Sequence, residues 1–219
     1  MISKKVINFL KSVALPVFLY LFLFNPLYSK QDQNINITAG YALFSILMTS
    51  LELATAILIM TKVNGIPLRE TGFFSFSYKT LLNLIPGLII IWAIYLAGIL
   101  VVFLLTGSSD DPGLITIELH APIWLLAIMV LGIGYSEEFF FRIFLVETMG
   151  SVLGKKAAII ISALFFALGH LYQGYLAVAI IFFLGLGFQW LYARYKSIHV
   201  NAIVHALYDA ISILIKGIV

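Results

Sequence analysis

Six ionisable side chains lie in three largely apolar stretches of this sequence, at spacings that could support hydrolytic chemistry. They are Glu137, Glu138, Arg142, His170, His205 and Asp209. A carboxylate and an imidazole that are buried together can activate water, because the carboxylate accepts a proton from the water while the imidazole shares or relays it. We therefore expect a hydrolase that uses water directly, with a peptide or an ester as its substrate.

The stretch 135-YSEEFFFRIF-144 supplies two adjacent carboxylates with different local surroundings. Glu138 and Arg142 are four residues apart, so on a helix they lie on one face and can form a direct ion pair. In that pair Arg142 holds and orients the carboxylate. Glu137 points about 100° away, and Phe141, four residues on, offers it no hydrogen bond. Glu137 must therefore find a partner on another helix.

The partners available to Glu137 are two histidines and an aspartate in later stretches. His170 lies in 165-FFALGHLYQG-174, while His205 and Asp209 are four residues apart and share one helix face. Counted from the predicted inner ends of their helices, these side chains lie at overlapping depths of roughly 12–21 Å. One cluster near the middle of a membrane is therefore feasible, with His205 placed to stabilise an oxyanion.

A serine or cysteine nucleophile finds little support in the sequence. Ser136 adjoins Glu137 but is predicted to point away from its face, no G-x-S-x-G motif is present, and the chain has no cysteine. The lack of cysteine also excludes disulfides, thiolate metal sites, and prenyl or palmitoyl anchors on this chain.

The elements that must position these groups are membrane-spanning helices. Hydrophobic residues make up 62% of the chain and charged residues 11%, and the mean hydropathy is +1.08. The apolar residues form blocks of roughly 20, the length that a helix needs to cross a bilayer. A soluble domain of this size would show amphipathic periodicity and more surface charge. The sequence therefore predicts an all-α, polytopic transmembrane helix bundle that forms one integral-membrane domain over residues 1–219.

Seven spans are predicted, with eight as the alternative count. Their approximate bounds are 6–28, 38–60, 81–105, 121–149, 156–172, 175–195 and 197–215. Most Lys and Arg residues fall in the loops that face the cytoplasm if the N-terminus does, as the positive-inside rule requires. We therefore expect a cytoplasmic N-terminus, an external C-terminus, and a bacterial plasma membrane as the location.

The formal net charge of +3 indicates membrane topology rather than nucleic-acid binding. Lys and Arg occur singly or in pairs at the ends of apolar blocks, and no basic patch is formed. The expected partners are the lipid bilayer and a peptide or protein substrate, with no nucleic acid. On the predicted topology Lys30, Asp110, Asp111 and Glu118 lie in outer loops.

Glu52 is a further carboxylate in the middle of a predicted span, with Thr49, Ser50 and Thr55 nearby. An ionisable group at that depth is a functional hypothesis by default. The favoured interpretation is a protonated carboxyl group or a hydrogen bond across helices, with contact to the site as the alternative.

Three motifs in the second half of the chain resemble those of the CPBP intramembrane protease family, which includes the CAAX prenyl endopeptidases and bacterial Abi-type proteins. They are Glu137-Glu138-x-x-x-Arg142, Phe166-x-x-x-His170 and His205-x-x-x-Asp209. The resemblance covers about residues 121–210, and it implies an intramembrane endopeptidase whose motifs lie within 121–215.

The resemblance also implies a role for each matching residue. Glu137 would activate water together with His170, and the ion pair that follows in the sequence would support that carboxylate. His205 and Asp209 would form the other half of the site. Asp209 departs from the family pattern, since many members have Asn there. An ionised Asp donates no hydrogen bond to an oxyanion, but it could fix the tautomer of His205 or bind a cation.

The sequence is compatible both with a metal cofactor and with a mechanism that needs none. The carboxylates and imidazoles of the cluster are ligand types that suit Zn²⁺, but no H-E-x-x-H motif supplies two imidazoles from one helix. A metal-independent glutamate mechanism is favoured, with zinc as the alternative. The zinc ligands would then be Glu137, His170, His205 and Asp209.

Two substrate classes fit these expectations, a membrane-associated peptide and a prenylated CAAX-type C-terminus. The alternative function is a non-enzymatic immunity or scaffold protein of the same family, in which the cluster only holds helices together. An ion-coupled transporter is a third candidate, but the sequence shows no inverted repeat of the kind that transporters use.

Overall fold

Six helices in the described part of the chain are long and apolar enough to cross a membrane. The computed structural model describes residues 4–23, 34–107 and 116–216. In these ranges the helices of spanning length are Val6–Leu23, Ala39–Val63, Tyr78–Thr106, Ile123–Leu153, Tyr175–Tyr195 and Ile198–Ile215. The chain is therefore an integral, multi-pass membrane protein, and the predicted all-α polytopic bundle is confirmed.

The described residues form ten α-helices and two short strands. In chain order they are α1 (Lys4–Phe9), α2 (Leu15–Leu23), β1 (Asn34–Ile37), α3 (Ala39–Leu58), α4 (Tyr78–Leu82), α5 (Leu84–Thr106), β2 (Thr116–Leu119), α6 (Ile123–Glu138), α7 (Leu145–Leu153), α8 (Lys155–Leu168), α9 (Tyr175–Tyr195) and α10 (Ile198–Lys216). Wider π-helical turns at Leu10–Ala14 and Phe139–Phe144 join α1 to α2 and α6 to α7.

The predicted span 156–172 is shorter than the other six. It corresponds to α8, which has 14 residues and ends at Leu168. At about 1.5 Å per residue such a helix is ~21 Å long, against a hydrocarbon thickness of ~30 Å. The seven predicted spans are thus six helices of spanning length and one shorter helix. His170 lies in the turn between α8 and α9 rather than within a helix.

Two short strands are the exception to the all-helical prediction. β1 and β2 pair in parallel, with Ile35 opposite Ile117 and Ile37 opposite Leu119. Each strand leads directly into a long helix, α3 or α6, and these two helices pack side by side. Their parallel pairing brings the first residues of α3 and α6 to the same end of the bundle. They come from loops predicted to lie on one side of the membrane.

The turn Phe139–Phe144 lies at the centre of the bundle. All six of its residues are buried, including four phenylalanines. The turn follows directly after Glu138, and wide turns of this kind are frequent at functional sites. A fully buried turn therefore follows directly on the two predicted acidic residues, Glu137 and Glu138.

Three residues of the predicted outer loops, Lys30, Asp110 and Asp111, lie outside the described residues. Glu118 belongs to β2, and one of its carboxylate oxygens lies 3.5 Å from Nε2 of His120. Both of these side chains are largely exposed.

Candidate active site

A cavity of about 550 Å³ inside the bundle collects the acidic and basic side chains predicted to do chemistry. Its polar lining includes Glu52, Glu137, His170, His205 and Asp209. Most other lining residues are aliphatic or aromatic. The structure therefore brings the four predicted catalytic residues to one cavity and adds Glu52 to them.

Glu138 is fully buried behind this cavity, and both of its oxygens are saturated with hydrogen bonds. Oε2 accepts from Nε of Arg142 at 3.1 Å and from Nδ2 of Asn201 at 2.9 Å. Oε1 accepts from Nη2 of Arg142 at 3.3 Å and lies 2.9 Å from Nδ1 of His205. The ion pair predicted from the four-residue spacing is confirmed. A buried charge with this many partners need not destabilise the fold.

The guanidinium of Arg142 also lies close to aromatic rings. Its guanidinium carbon lies 4.4 Å from the ring centroid of Phe166 and 5.6 Å from that of Phe188. Cations over aromatic faces are stabilised electrostatically, the more so when desolvated. These contacts fix the guanidinium, and through it they fix the Glu138 carboxylate.

Asn201 belongs to this network, although none of the three motifs includes it. Its Nδ2 donates to Glu138 and also to the backbone carbonyl of Phe188, at 2.7 Å. The signal that could have found it is spacing, because Asn201, His205 and Asp209 follow one another at intervals of four on α10.

His205 links the saturated carboxylate to the cavity. The Glu138 carboxylate can only accept a hydrogen bond, so Nδ1 of His205 carries a proton and donates to it. On the other side of the ring, Nε2 lies 3.8 Å from Oε2 of Glu137 and 3.6 Å from Oδ2 of Asp209. The ring stacks on Phe188, with centroids 4.7 Å apart. Nε2 thus faces two carboxylates at distances slightly beyond a direct hydrogen bond.

Glu137 contrasts with its neighbour Glu138. Its Oε2 is buried, and in the part of the chain that the structure describes it has no hydrogen-bond partner. A buried carboxylate oxygen without a partner is rare and costly, which calls for an explanation such as a catalytic role or a bound water. Of the two adjacent carboxylates, only Glu137 is therefore free to accept a new hydrogen bond.

His170 lines the same cavity from the turn after α8. Its Nδ1 lies 2.8 Å from the carbonyl oxygen of Phe166, which can only accept, so Nδ1 carries a proton. In the neutral ring, Nε2 is then the basic nitrogen. No direct hydrogen bond joins His170 to Glu137 within residues 4–23, 34–107 and 116–216.

Close approach of α6 and α10 brings Glu138 within reach of Asn201 and His205. A Cβ atom at Gly134 would lie 2.4 Å from the backbone oxygen of Ala202. Small residues permit such contact between membrane helices. Glycine at this position is therefore required by the geometry of the network.

Glu52 reaches the cavity from α3 and accepts a hydrogen bond from Oγ of Ser136 at 2.9 Å. The predicted hydrogen bond across helices is therefore present, and Glu52 also lines the cavity. Ser136 points away from the face of Glu137, as the sequence indicated, and towards α3.

The zinc alternative requires at least three ligands around one point. Among the described residues, no group of three or more His, Asp or Glu side chains is arranged to hold a metal ion. Nδ1 of His170 is bonded to the backbone and Nδ1 of His205 to Glu138, so either ring would have to bind a metal ion through Nε2. As placed, these side chains do not fit a zinc centre.

Comparison with known proteins supports the resemblance drawn from the motifs. The sequence model of a family described as type II CAAX prenyl endopeptidase Rce1-like matches residues 119–211. This range contains all three motifs, and the match is consistent with the CPBP family. No curated protein and no solved structure matches the chain.

Proposed function

We propose that this multi-pass membrane protein, whose residues 119–211 match a CAAX-type protease family, is an intramembrane endopeptidase in which Glu137 activates water. The observation that carries the proposal is the difference between two adjacent carboxylates. Glu138 accepts four hydrogen bonds from three residues, whereas Oε2 of Glu137 is buried in the described structure without a partner. A general base must have a free lone pair directed at its water, and of these two carboxylates Glu137 is the one that has it.

The position of the water follows from the gap between Glu137 and His205. Their nearest polar atoms are 3.8 Å apart, a separation at which a water molecule can bond to both. Glu137 takes one proton from this water, and the resulting hydroxide attacks the carbonyl carbon of the scissile bond. When the tetrahedral intermediate collapses, the proton passes from Glu137 to the leaving amine. The products are a carboxylic acid and an amine, and Glu137 regains its starting state.

His205 is suited to stabilise the oxyanion of that intermediate. Glu138 at Nδ1 stabilises the protonated ring, and Nε2–H then donates into the cavity. Asp209, 3.6 Å from Nε2, orients the ring. His170 presents Nε2 to the same cavity and shares the proton of the water with Glu137. This division of the site, with His170 beside Glu137 and Asp209 beside His205, is the one that the resemblance implies.

The cavity also bears on the substrate. Its wall beyond the polar residues is built from aliphatic and aromatic side chains such as Ile37, Met129, Ile180 and Phe188. Such a wall accepts an apolar chain, either the side chains of a membrane-associated peptide or the prenyl group of a CAAX-type C-terminus. We place the protein in a bacterial plasma membrane with its N-terminus in the cytoplasm, because the distribution of Lys and Arg follows the positive-inside rule.

The test is hydrolysis by the purified full-length protein in lipid nanodiscs. The protein is incubated with a library of membrane peptides, with and without a prenylated C-terminal cysteine, and the cut sites are determined by mass spectrometry. We expect internal cuts that incorporate one ¹⁸O atom from labelled water. We also expect Glu137→Gln to abolish them.

Glu147→Gln is the matched control. Glu147 lies in the same span but pairs with Lys155 at the surface, 2.9 Å away, and this variant should cut normally. Absence of any cut by the wild-type protein, or cutting by Glu137→Gln at the wild-type rate, would overturn the proposal.

A further inference from the structure

We propose that Glu52 on α3 is a positioning residue that orients Glu137 through Ser136. The inference rests on the proposed function and deepens it. Glu52 lies outside residues 119–211, the range that the family model matches, and outside all three motifs. The first half of the chain would then contribute directly to the geometry of the site.

The contact that carries the inference is buried and direct. Oγ of Ser136 donates to Oε2 of Glu52 at 2.9 Å, and the two residues are 84 positions apart in the sequence. Ser136 is completely buried, and Glu52 is only 8% exposed. A hydrogen bond to a carboxyl group in such surroundings is strong and directional.

Ser136 and Glu138 flank Glu137 and are both anchored to other residues. Ser136 is bonded to α3, whereas Glu138 is bonded to Arg142 and α10. Within the described residues Oε2 of Glu137 has no partner, so its own side-chain bonds do not fix that oxygen. Its direction must therefore be set by the backbone on either side, and Glu52 anchors the side that precedes it.

The packing of α3 on α6 supports this assignment. A Cβ atom at Gly132 would lie 2.9 Å from Oγ1 of Thr49, so the two helices approach closely one turn before Ser136. Thr49 and Glu52 are one turn apart on α3, as Gly132 and Ser136 are on α6. The two contacts are therefore in register along the interface, and they define the rotation of the last regular turn of α6.

Packing alone does not account for a glutamate at this position. Among the described residues no Lys, Arg or His forms an ion pair with Glu52, and a carboxyl group is costly at this depth. A leucine or alanine would pack α3 against α6 without that cost. The hydrogen bond from Ser136 to Glu52, and the position of Glu52 on the cavity wall, explain why a carboxyl group is present here.

The experiment is a double-mutant cycle with two independent readouts. Glu52→Ala, Ser136→Ala and the double variant are compared for kcat and KM, and for the rate at which a hydrophobic carbodiimide labels Glu137. Misplacing a catalytic group by a fraction of an ångström to 1 Å lowers turnover on the order of ten- to a hundredfold. We expect that loss in kcat for both single variants, no further loss in the double variant, and a KM within about twofold of the wild-type value.

Two variants sharpen the comparison. Glu52→Gln retains an oxygen that accepts from Ser136, so it should rescue most of the turnover lost in Glu52→Ala. Ser50→Ala is the matched control on the same helix, because the Ser50 hydroxyl bonds to the carbonyl of Ile46 and is exposed. It should leave kcat, KM and the labelling rate unchanged.

Three results would overturn the inference. The first is a Ser136→Ala variant with wild-type kcat and labelling rate. The second is a double variant whose loss equals the product of the single losses, which would show independent roles. The third is a raised KM with unchanged kcat in Glu52→Ala, which would make Glu52 a substrate contact.

Failure of the proposed function can be told apart from these results. If the wild-type protein cuts no peptide, the labelling of Glu137 still tests the anchor. The labelling rate should then change by the same factor in both single variants and in the double variant. Unchanged labelling in all three would refute the positioning role by itself.

Discussion

Nδ1 of His205 lies 2.9 Å from Oε1 of Glu138, and this contact gives the two nitrogens of one ring different roles. Because a buried carboxylate holds the proton on Nδ1, only Nε2 is available to the cavity, where Glu137 and Asp209 lie. A carboxylate that fixes the tautomer and orientation of a working imidazole is a recurrent device in hydrolytic enzymes. Of the two adjacent carboxylates, Glu138 is therefore fixed in the hydrogen-bond network, whereas Glu137 is available to accept a hydrogen bond from water.

Arg142→Ala should reduce both the folded yield and the turnover. The substitution leaves Glu138 as a fully buried carboxylate without its cation, at a cost of about 3–5 kcal/mol. Thermal unfolding in detergent and turnover in nanodiscs measure the two effects. Wild-type stability with selective loss of turnover would instead assign Arg142 to the reaction itself.

Asn201→Ala should weaken the same network more mildly. Glu138 loses one donor and the carbonyl of Phe188 loses another, which should lower the free energy of unfolding by about 1–3 kcal/mol. Asn201→Asp should be worse than Asn201→Ala, because it places a second carboxylate against Glu138. Unfolding curves of the two variants test that order, and the reverse order would count against a saturated anionic Glu138.

Asp209→Asn separates the two mechanisms that the sequence leaves open. If the amide adds a donor near the oxyanion, activity should hold or rise, since one such donor can contribute ~2.7–4 kcal/mol in the transition state. Chelators should then have no effect on turnover. Turnover that a chelator abolishes, that Zn²⁺ restores and that Asp209→Asn cripples would point to metal ligation instead.

Gly134→Ala should separate α6 from α10 and reduce both stability and turnover. The added Cβ would lie 2.4 Å from a backbone oxygen that cannot rotate away, and overpacking of this kind costs about 1–3 kcal/mol. Gly150→Ala is the matched control, because its Cβ would meet its nearest neighbour at 3.7 Å. Equal melting temperatures for the two variants would contradict the close approach that we describe.

Local features of this molecule could be predicted from the sequence, because their causes are local. Apolar blocks of spanning length define the helices, and the four-residue spacing of Glu138 and Arg142 defines their ion pair. The presence of His170 and His205 in one cavity with Glu137 also agrees with the depths counted along the chain.

Contacts between distant segments could not be derived in this way. The bonds from Ser136 to Glu52 and from Asn201 to Glu138 depend on which faces of which helices meet, and no local pattern encodes that. The same holds for the pairing of β1 with β2, since each strand has only four residues and is supported by the helices that follow. The shortness of α8 depends on where the turn that follows it begins, at Gly169, and an apolar count does not detect this.

The most direct test of the account compares Glu137→Gln with Glu138→Gln for turnover and thermal unfolding in the same preparation. Glu137→Gln should lose all measurable turnover and keep the wild-type melting temperature, because the amide replaces a carboxylate whose buried oxygen has no partner in the described structure. Glu138→Gln should lose turnover and stability together, because it removes the charge that Arg142 and His205 require. If Glu138→Gln were stable and inactive while Glu137→Gln still cut its substrate, the assignment of the two carboxylates would be wrong.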